Sequence, residues 1–286
     1  MFFTVCYIRD LGNAVLLGNS LKKFYPETPF KIFLADKIEN IPAKFQTEFE
    51  IEAIDLLTLA ELAKYNWNEL KDNCKPFIAQ KLLEKHQQVS YFDATSVVFS
   101  SLNSILENSA NMILVPQLLF ANKYPKENEA LNEGIYHAGF FSMRQSDESL
   151  KLVNWWKNKA FEKGFERVCE GMNKDRLILE LVPVLYKGVH VEKNPAINVG
   201  KWNLAERNFS LKNGQYFIEN QKLLSFNFKG SEYFDSLKNE LKQFSYLQKI
   251  KPAFGIPVIE KTVLQKVFEP TIKKAISAVD VFFDKF

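Results

Sequence analysis

The order of apolar segments at the start of the chain constrains its fold more than any other feature. Residues 2–7 form a short β-prone run, residues 14–24 carry apolar side chains at helical spacing, and residues 30–34 return to strand character. A polar turn with Arg9, Asp10, Gly12 and Asn13 separates the first two segments, and Tyr25-Pro26 closes the helix because proline cannot continue it. A strand, a helix and a strand joined by short loops make a βαβ unit, which requires a parallel sheet and a right-handed crossover.

The same alternation continues downstream. Residues 49–54 read as a third strand, and residues 79–86 continue a helix that starts near Pro76, a favoured first-turn residue. Residues 89–92 form a strand running into Asp93-Ala94-Thr95, and 112–115 and 138–143 are two further strands. Residues 147–163 make a long amphipathic helix whose Trp155 and Trp156 belong to the core, and 173–181 a shorter one stopped by Pro183. Residues 217–218 and 223–228 flank Glu219-Asn220-Gln221 as a β-hairpin. From residue 231 the chain reads as helical, broken by Pro252, Pro257 and Pro270. No repeat or linker divides it. The expectation is one α/β domain, a mostly parallel sheet flanked by helices over residues 1–235, with a helical C-terminal extension over 236–286 packed on it.

Composition removes several functional classes. The 286 residues are 47% hydrophobic, enough for a sizeable core. Thirty-seven basic and 34 acidic residues leave a net charge of +3, without the concentrated basic field of a nucleic-acid binder. Three scattered cysteines, Cys6, Cys74 and Cys169, form no CxxC pair, which argues for a reducing, cytoplasmic compartment. The apolar start is too short for a signal peptide or a membrane span.

In open α/β sheets ligands bind beyond the carboxyl ends of the strands. Three places fall there: residues 7–10 with Tyr7 and Arg9, Asp36, and Asp93 with Thr95. A carboxylate ending a buried strand is costly unless something satisfies it, so Asp93 either serves a ligand or caps a turn. Of the three histidines, His86 sits in a Lys-rich helix end and His190 in a short strand. His137 precedes Ala138-Gly139, where small residues let a ligand approach the backbone. No His/Asp/Glu spacing makes a metal site, and no GxGxxG or GxxxxGK loop is present.

Four stretches carry a more specific signal: CKPFIAQKLLEKHQQVSYFDATSVVFSSLNSI, EGIYHAGFFSMRQSDESLKLVNWWKNKA, NKDRLILELVPVLYKGVHVEKNPAINVGKWNLAERN and LLSFNFKG. In order and spacing they resemble the blocks of bacterial GT-A-fold glycosyltransferases of the capsule and lipopolysaccharide type, up to about residue 235. The resemblance implies a hexosyltransferase of cell-envelope polysaccharide synthesis, with a nucleotide-diphospho-sugar donor and a glycan or lipid-linked acceptor. The alternative, favoured by three substitutions at functional positions, is a weakened or inactive relative that binds sugar nucleotides or glycans. Asp93 matches the first carboxylate of the DxD motif, and Asp175 and Arg176 stand at the family's catalytic DQ pair. Asn198, Trp202, Asn203 and Arg207 fall in the NVxxWNLxxR block. His137 and Gly139 lie on the donor-sugar strand, and Asn227 and Lys229 in the final block. Tyr7, Arg9, Asp36, Lys75 and Thr95 complete the expected donor-binding set.

This sequence departs from the pattern at three positions. Thr95 replaces the second DxD carboxylate, Arg176 the glutamine of DQ, and Asn227 a histidine. In related enzymes the two carboxylates and that histidine hold Mn²⁺ or Mg²⁺ against the diphosphate. Here Asp93 is the remaining ligand, and metal-independent binding with charge from Arg176 or Lys75 is the other expectation. An inverting enzyme needs a base facing the acceptor, and a retaining one a nucleophile or a front-face route; Asp175 answers to either. Residues 258–286 are amphipathic with interspersed lysines and acids. They read as a helical cap or dimer contact, with peripheral contact to an anionic inner-membrane surface as the alternative.

Overall fold

Side chains alternate sides along a strand, and in this chain both sides are apolar, so the central sheet must be covered on two faces. The computed structural model describes residues 1–36, 47–120, 127–200 and 202–229. Phe2 and Cys6 of β1 (Phe2–Cys6) enter one core, while Phe3 and Val5 enter the other. In β2 (Phe30–Leu34), Ile32 and Leu34 join the first core and Phe33 the second. Helix α1 (Leu11–Lys22) crosses between these parallel strands. Next come β3 (Glu50–Ala53), α2 (Leu56–Glu61) and α3 (Trp67–Leu83), and then β4 (Gln88–Phe92), β5 (Ser96–Val98), α4 (Asn103–Leu106) and β6 (Met112–Pro116). After α5 (Glu127–Glu133) the chain forms β7 (Tyr136–Arg144), α6 (Asp147–Lys163), β8 (Glu166–Arg167), β9 (Met172–Asn173), α7 (Arg176–Glu180), α8 (Val182–Leu185) and β10 (Val189–Val191). The described part ends in β11 (Val199–Gly200), β12 (Phe209–Lys212), β13 (Gln215–Ile218), β14 (Gln221–Lys222) and β15 (Ser225–Asn227).

Seven strands form the main sheet in the order β10-β6-β7-β4-β1-β2-β3. All its pairings are parallel except those of β7, which runs against both β4 and β6. The start of β7 therefore lies beside the carboxyl end of β4, at a reversal of the sheet. There the β6–β7 register slips, from Leu114 opposite Phe141 to Pro116 opposite Tyr136. An irregularity of this kind re-aims side chains, and it falls on His137, Ala138 and Gly139. A smaller sheet, β11-β15-β5, brings Asn227 opposite Ser96, two residues from Thr95's neighbour Ala94.

Several sequence expectations are corrected. Helix α3 starts at Trp67, with Pro76 in its interior rather than its first turn. Asn66 accepts from Asn68 and Glu69 N–H while the Glu69 carboxylate accepts from Asn66 N–H, a capping box that starts the helix far upstream. Pro76 removes only the N–H that would bond to Asp72, and packing of α3 on α6 carries the helix through. Pro183 does not end a helix but lies in the first turn of α8, where its missing N–H costs nothing. Gly12 and Asn13, expected in a turn, already belong to α1. The hairpin after Glu219 closes on Gln221–Lys222, whereas Ser225–Asn227 pairs with β5 and β11. Phe209–Lys212, with no strand expected, is the third strand of that meander. Trp156 is fully buried, 5.1 Å from Phe141 ring to ring, and Trp155 packs half-buried on Tyr186. The 235/236 boundary, the helical extension and its membrane alternative lie outside the described residues. Among the described residues, no helix is long and apolar enough to cross a membrane.

Candidate functional site

Helix α3 lies against the sheet, so its inward face can deliver polar side chains only near the strand ends. Asp72 and Lys75, one turn apart, do so. The three Lys75 ammonium protons have three acceptors: Asp175 Oδ2 at 2.8 Å, Asp72 Oδ1 at 3.2 Å and the Ala138 carbonyl at 3.2 Å. Lys75 also lies 5.1 Å from the centre of the Tyr91 ring. Asp175 is presented just before α7 by Lys174, whose φ of 48° turns the chain sharply. Burial pushes the Asp175 carboxyl up, opposed by Lys75 and reinforced by Asp72. Its Oδ1 has no hydrogen-bond partner among the described residues.

Asp93 follows β4, buried, with its N–H bonded to the Gly139 carbonyl at 2.8 Å. Tyr91 donates to Oδ1 at 2.8 Å and Asn227 Nδ2 to Oδ2 at 3.0 Å. Asn227 Oδ1 in turn accepts from Thr95 Oγ1 at 2.8 Å and from Lys229 N–H at 3.0 Å. Burial alone would raise the Asp93 carboxyl; the ammonium groups of Lys71, Lys75 and Lys229 outweigh it and hold Asp93 well below the usual carboxylate range. Asp93 therefore does not cap the following turn by its side chain; it is the anionic end of a hydrogen-bonded chain.

His137 is buried and stacked on Trp202, with ring centroids 3.9 Å apart and planes at 7°. Its Nδ1 accepts from Gly139 N–H at 3.0 Å and faces Asn198 Nδ2 at 3.1 Å. A backbone N–H can only donate, so Nδ1 carries no proton and the neutral ring is protonated at Nε2. That Nε2–H and the Trp202 indole N–H are both buried without a partner among the described residues. Burial, with Arg176 next, holds His137 well below the ordinary histidine value of 6.5. The unfolded chain then binds a proton that the folded chain refuses. Stability from this group is present above 6.5 and is lost as the pH falls toward the folded-state value. We expect His137 to contribute a fall in unfolding free energy of up to about 1.4 kcal/mol per pH unit below 6.5, so that His137→Asn flattens the pH dependence in urea titrations.

The remaining expected residues fall into three groups. Asn198 adopts φ 49° and, with Asn203, braces its own loop: Asn203 Oδ1 accepts from Gly200 N–H at 2.9 Å and Nδ2 donates to the Asn198 carbonyl at 3.3 Å. Arg207 is enclosed, bonded to the Pro195 carbonyl at 2.6 Å and to Glu206, and burial lowers it to about 10. It holds a loop and does not reach the Asp93 cluster. Arg176 lies half-buried, paired with the more exposed Glu133 at 3.0 Å. Tyr7, Arg9 and Asp36 form a separate group at the ends of β1 and β2, where Asp36 accepts from Ile8 N–H at 2.7 Å and Arg9 stacks over Trp67 at 4.0 Å.

Gly139 is required by close approach. A Cβ there would meet the His137 ring at 2.6 Å and Asn227 Nδ2 at 2.9 Å. Gly139→Ala is expected to cost about 1–3 kcal/mol in chemical denaturation, because both neighbours are held by hydrogen bonds and neither can give way.

Sequence reasoning did not find Asp72, Lys71, Lys174, Tyr91 or Trp67. The Asn66-x-x-Glu69 capping box was the usable signal. It starts α3 early enough for Asp72 and Lys75 to share one face. A groove of about 800 Å³ between α1 and β5, lined among others by Leu16, Phe24, Val97, Phe99 and Tyr216, includes none of the cluster residues. It is mostly apolar, whereas the buried charged side chains gather at the Asp93, Lys75 and Asp175 cluster.

No family model matches the sequence. The chain is 25% identical over 262 residues to the uncharacterized protein YfnF of Bacillus subtilis (strain 168), covering 85% of this chain and 84% of YfnF. It is 28% identical over 102 residues to the uncharacterized protein YfnD of the same strain, covering 34% of this chain and 32% of YfnD. Among solved structures, the galactosyltransferase LgtC in complex with donor and acceptor sugar analogues superposes with a TM-score of 0.51 at 15% identity, over 86% of this chain and 99% of LgtC. An active-site mutant of LgtC gives a TM-score of 0.51 at 14% identity over the same shares. The fold is therefore the α/β GT-A fold, a mostly parallel sheet flanked by helices.

Proposed function

We propose that this chain transfers a sugar from a nucleotide-diphosphate donor to a glycan or lipid-linked acceptor, with the diphosphate at the Asp93 end of the cluster and the transferred sugar at Asp175. The observation that carries this reading is the buried Asp93, Lys75 and Asp175 set at the reversal between β4 and β7, where an open α/β sheet binds its ligands. No core needs such a set, since apolar residues of similar size serve stability as well or better.

Sugar transfer breaks the bond between the anomeric carbon and the diphosphate oxygen and forms one to an acceptor hydroxyl oxygen. Positive charge develops on the sugar ring and negative charge on the departing diphosphate. Asp175 Oδ1, unpartnered and on a carboxyl pushed up by burial, suits both charge stabilisation at the ring and receipt of the acceptor's proton. Lys75 holds that carboxylate in one orientation and is buried with its protons already taken, so it is a positioning residue. Tyr7, Arg9 and Asp36 lie where a nucleoside would extend from the diphosphate along the strand ends. The Nε2–H of neutral His137 and the Trp202 N–H are donors for sugar hydroxyls.

The test is release of nucleoside diphosphate from a panel of nucleotide sugars, with and without glycan and lipid-linked acceptors. Acceptor-dependent release from one donor supports transfer. Tight donor binding with no release under any acceptor favours the second reading, a sugar-nucleotide-binding relative, for which the replacements at Thr95, Arg176 and Asn227 speak.

A further inference from the structure

We propose that the site takes its donor's diphosphate without a divalent cation: the Asn227 amide closes the position from which a cation would be held, and Lys71, Lys229 and Arg176 supply the positive charge. This rests on the donor reading above and deepens it.

The orientation of Asn227 carries the argument. Its Oδ1 accepts from the Lys229 backbone N–H, an obligate donor, and from Thr95 Oγ1. Its Nδ2 donates to Asp93 Oδ2. Turning the amide over would set carbonyl oxygen against carboxylate and N–H against N–H, so both ends fix the assignment. The amide thus presents N–H, the positive end of its dipole, to the carboxylate that a cation would share. At a diphosphate, Mg²⁺ or Mn²⁺ is shared between the phosphates, waters and one or two carboxylates with oxygens turned toward it. Both Asp93 oxygens already accept, from Tyr91 and Asn227. Among the described residues Asp93 is the one carboxylate bonded to the Asn227 amide, and Thr95 Oγ1 is turned onto Asn227. Among the described residues, no group of three or more His, Cys, Asp or Glu side chains could hold a metal ion.

Positive charge is present instead. The single carboxylate of Asp72 faces three ammonium groups: Lys71 at 3.1 Å, Lys75 at 3.2 Å and Lys174 at 3.8 Å. Lys75 is saturated and enclosed, whereas Lys71 is partly exposed. Lys229 is exposed and has no ion-pair partner among the described residues, and its backbone is the group that locks Asn227. Arg176 pairs with Glu133, a side chain 50% exposed, and such a rim pair exchanges its carboxylate for a phosphate at little cost. Lys71 and Lys229 lie close enough to Asp93 for their charges to act on its carboxyl.

Two probes test this with the full chain: Mn²⁺ alone, followed by its electron-spin resonance signal, and inorganic pyrophosphate, followed by calorimetry in EDTA and in Mn²⁺. The expected result is that Mn²⁺ stays free with the chain alone and that pyrophosphate binds at least as tightly in EDTA as in Mn²⁺. Lys229→Ala should weaken pyrophosphate by about tenfold, the loss of one charge-assisted hydrogen bond. The double variant Thr95→Asp with Asn227→His should gain Mn²⁺ binding. Mn²⁺ captured by the unaltered chain and released by Asp93→Asn, or pyrophosphate bound only with Mn²⁺, overturns the proposal and leaves the donor reading standing. Pyrophosphate and nucleotides failing to bind in either buffer overturn both.

Discussion

Replacing Lys75 by methionine is expected to lower the unfolding free energy by about 3–5 kcal/mol, the cost of leaving a buried carboxylate without its counter-ion. Methionine keeps the apolar stem, so the change isolates the charge. Asp72 retains Lys71 and Lys174, but Asp175 loses its one ion-pair partner among the described residues and the Ala138 carbonyl loses a donor. A double variant, Lys75→Met with Asp175→Asn, should recover a large part of the loss, because an amide tolerates an apolar neighbour where a carboxylate does not. Urea denaturation of the four forms closes the cycle. A single Lys75→Met variant as stable as the unaltered chain would mean that Asp175 is already protonated and that the ion pair is not what holds the cluster.

Asp175→Asn is expected to lower the transfer rate by about 10²–10³-fold, the usual consequence of removing a charged group at a reacting centre. Nucleotide affinity should stay within about threefold, since the substitution is isosteric, keeps an acceptor for Lys75 and, in the proposed function, lies on the sugar rather than the diphosphate. Steady-state rates on the donor that binds, with calorimetry on its nucleoside diphosphate, separate the two effects. Equal losses of rate and nucleotide affinity would instead mean a role in holding the diphosphate.

The frame was legible because its signals are local. The strands at Phe30–Leu34 and Met112–Pro116, and the helix Asp147–Lys163, are set by apolar periodicity over their own length. Alternation of strands and helices gave the parallel sheet, and the KP, YFD and NVxxWN stretches gave the GT-A expectation. What stayed illegible depends on pairing across long separations. Ser225–Asn227 looks like half of a local hairpin, and only its partner β5, well over one hundred residues earlier, makes it a wall of the site. Asn227 could be read as a lost histidine but not as a donor to Asp93, since that depends on Lys229 N–H fixing the amide. Arg207 and Asn203 carry side chains suited to ligands, yet their geometry turns them onto backbone groups of their own loop. Residue type gives the chemistry available, and tertiary contacts decide which of it faces a ligand.

The most direct test of the central claim is thermal unfolding of the full chain against a panel of nucleotide sugars, their nucleoside diphosphates and free sugars, each in EDTA. A ligand that binds the native state raises the melting temperature by mass action, by about 2.7 kcal/mol of stability at one hundred times its dissociation constant. The account predicts stabilisation by one nucleotide sugar and its nucleoside diphosphate, sharply reduced in Lys229→Ala. The absence of a shift with every nucleotide, in EDTA and in Mn²⁺ alike, would contradict it.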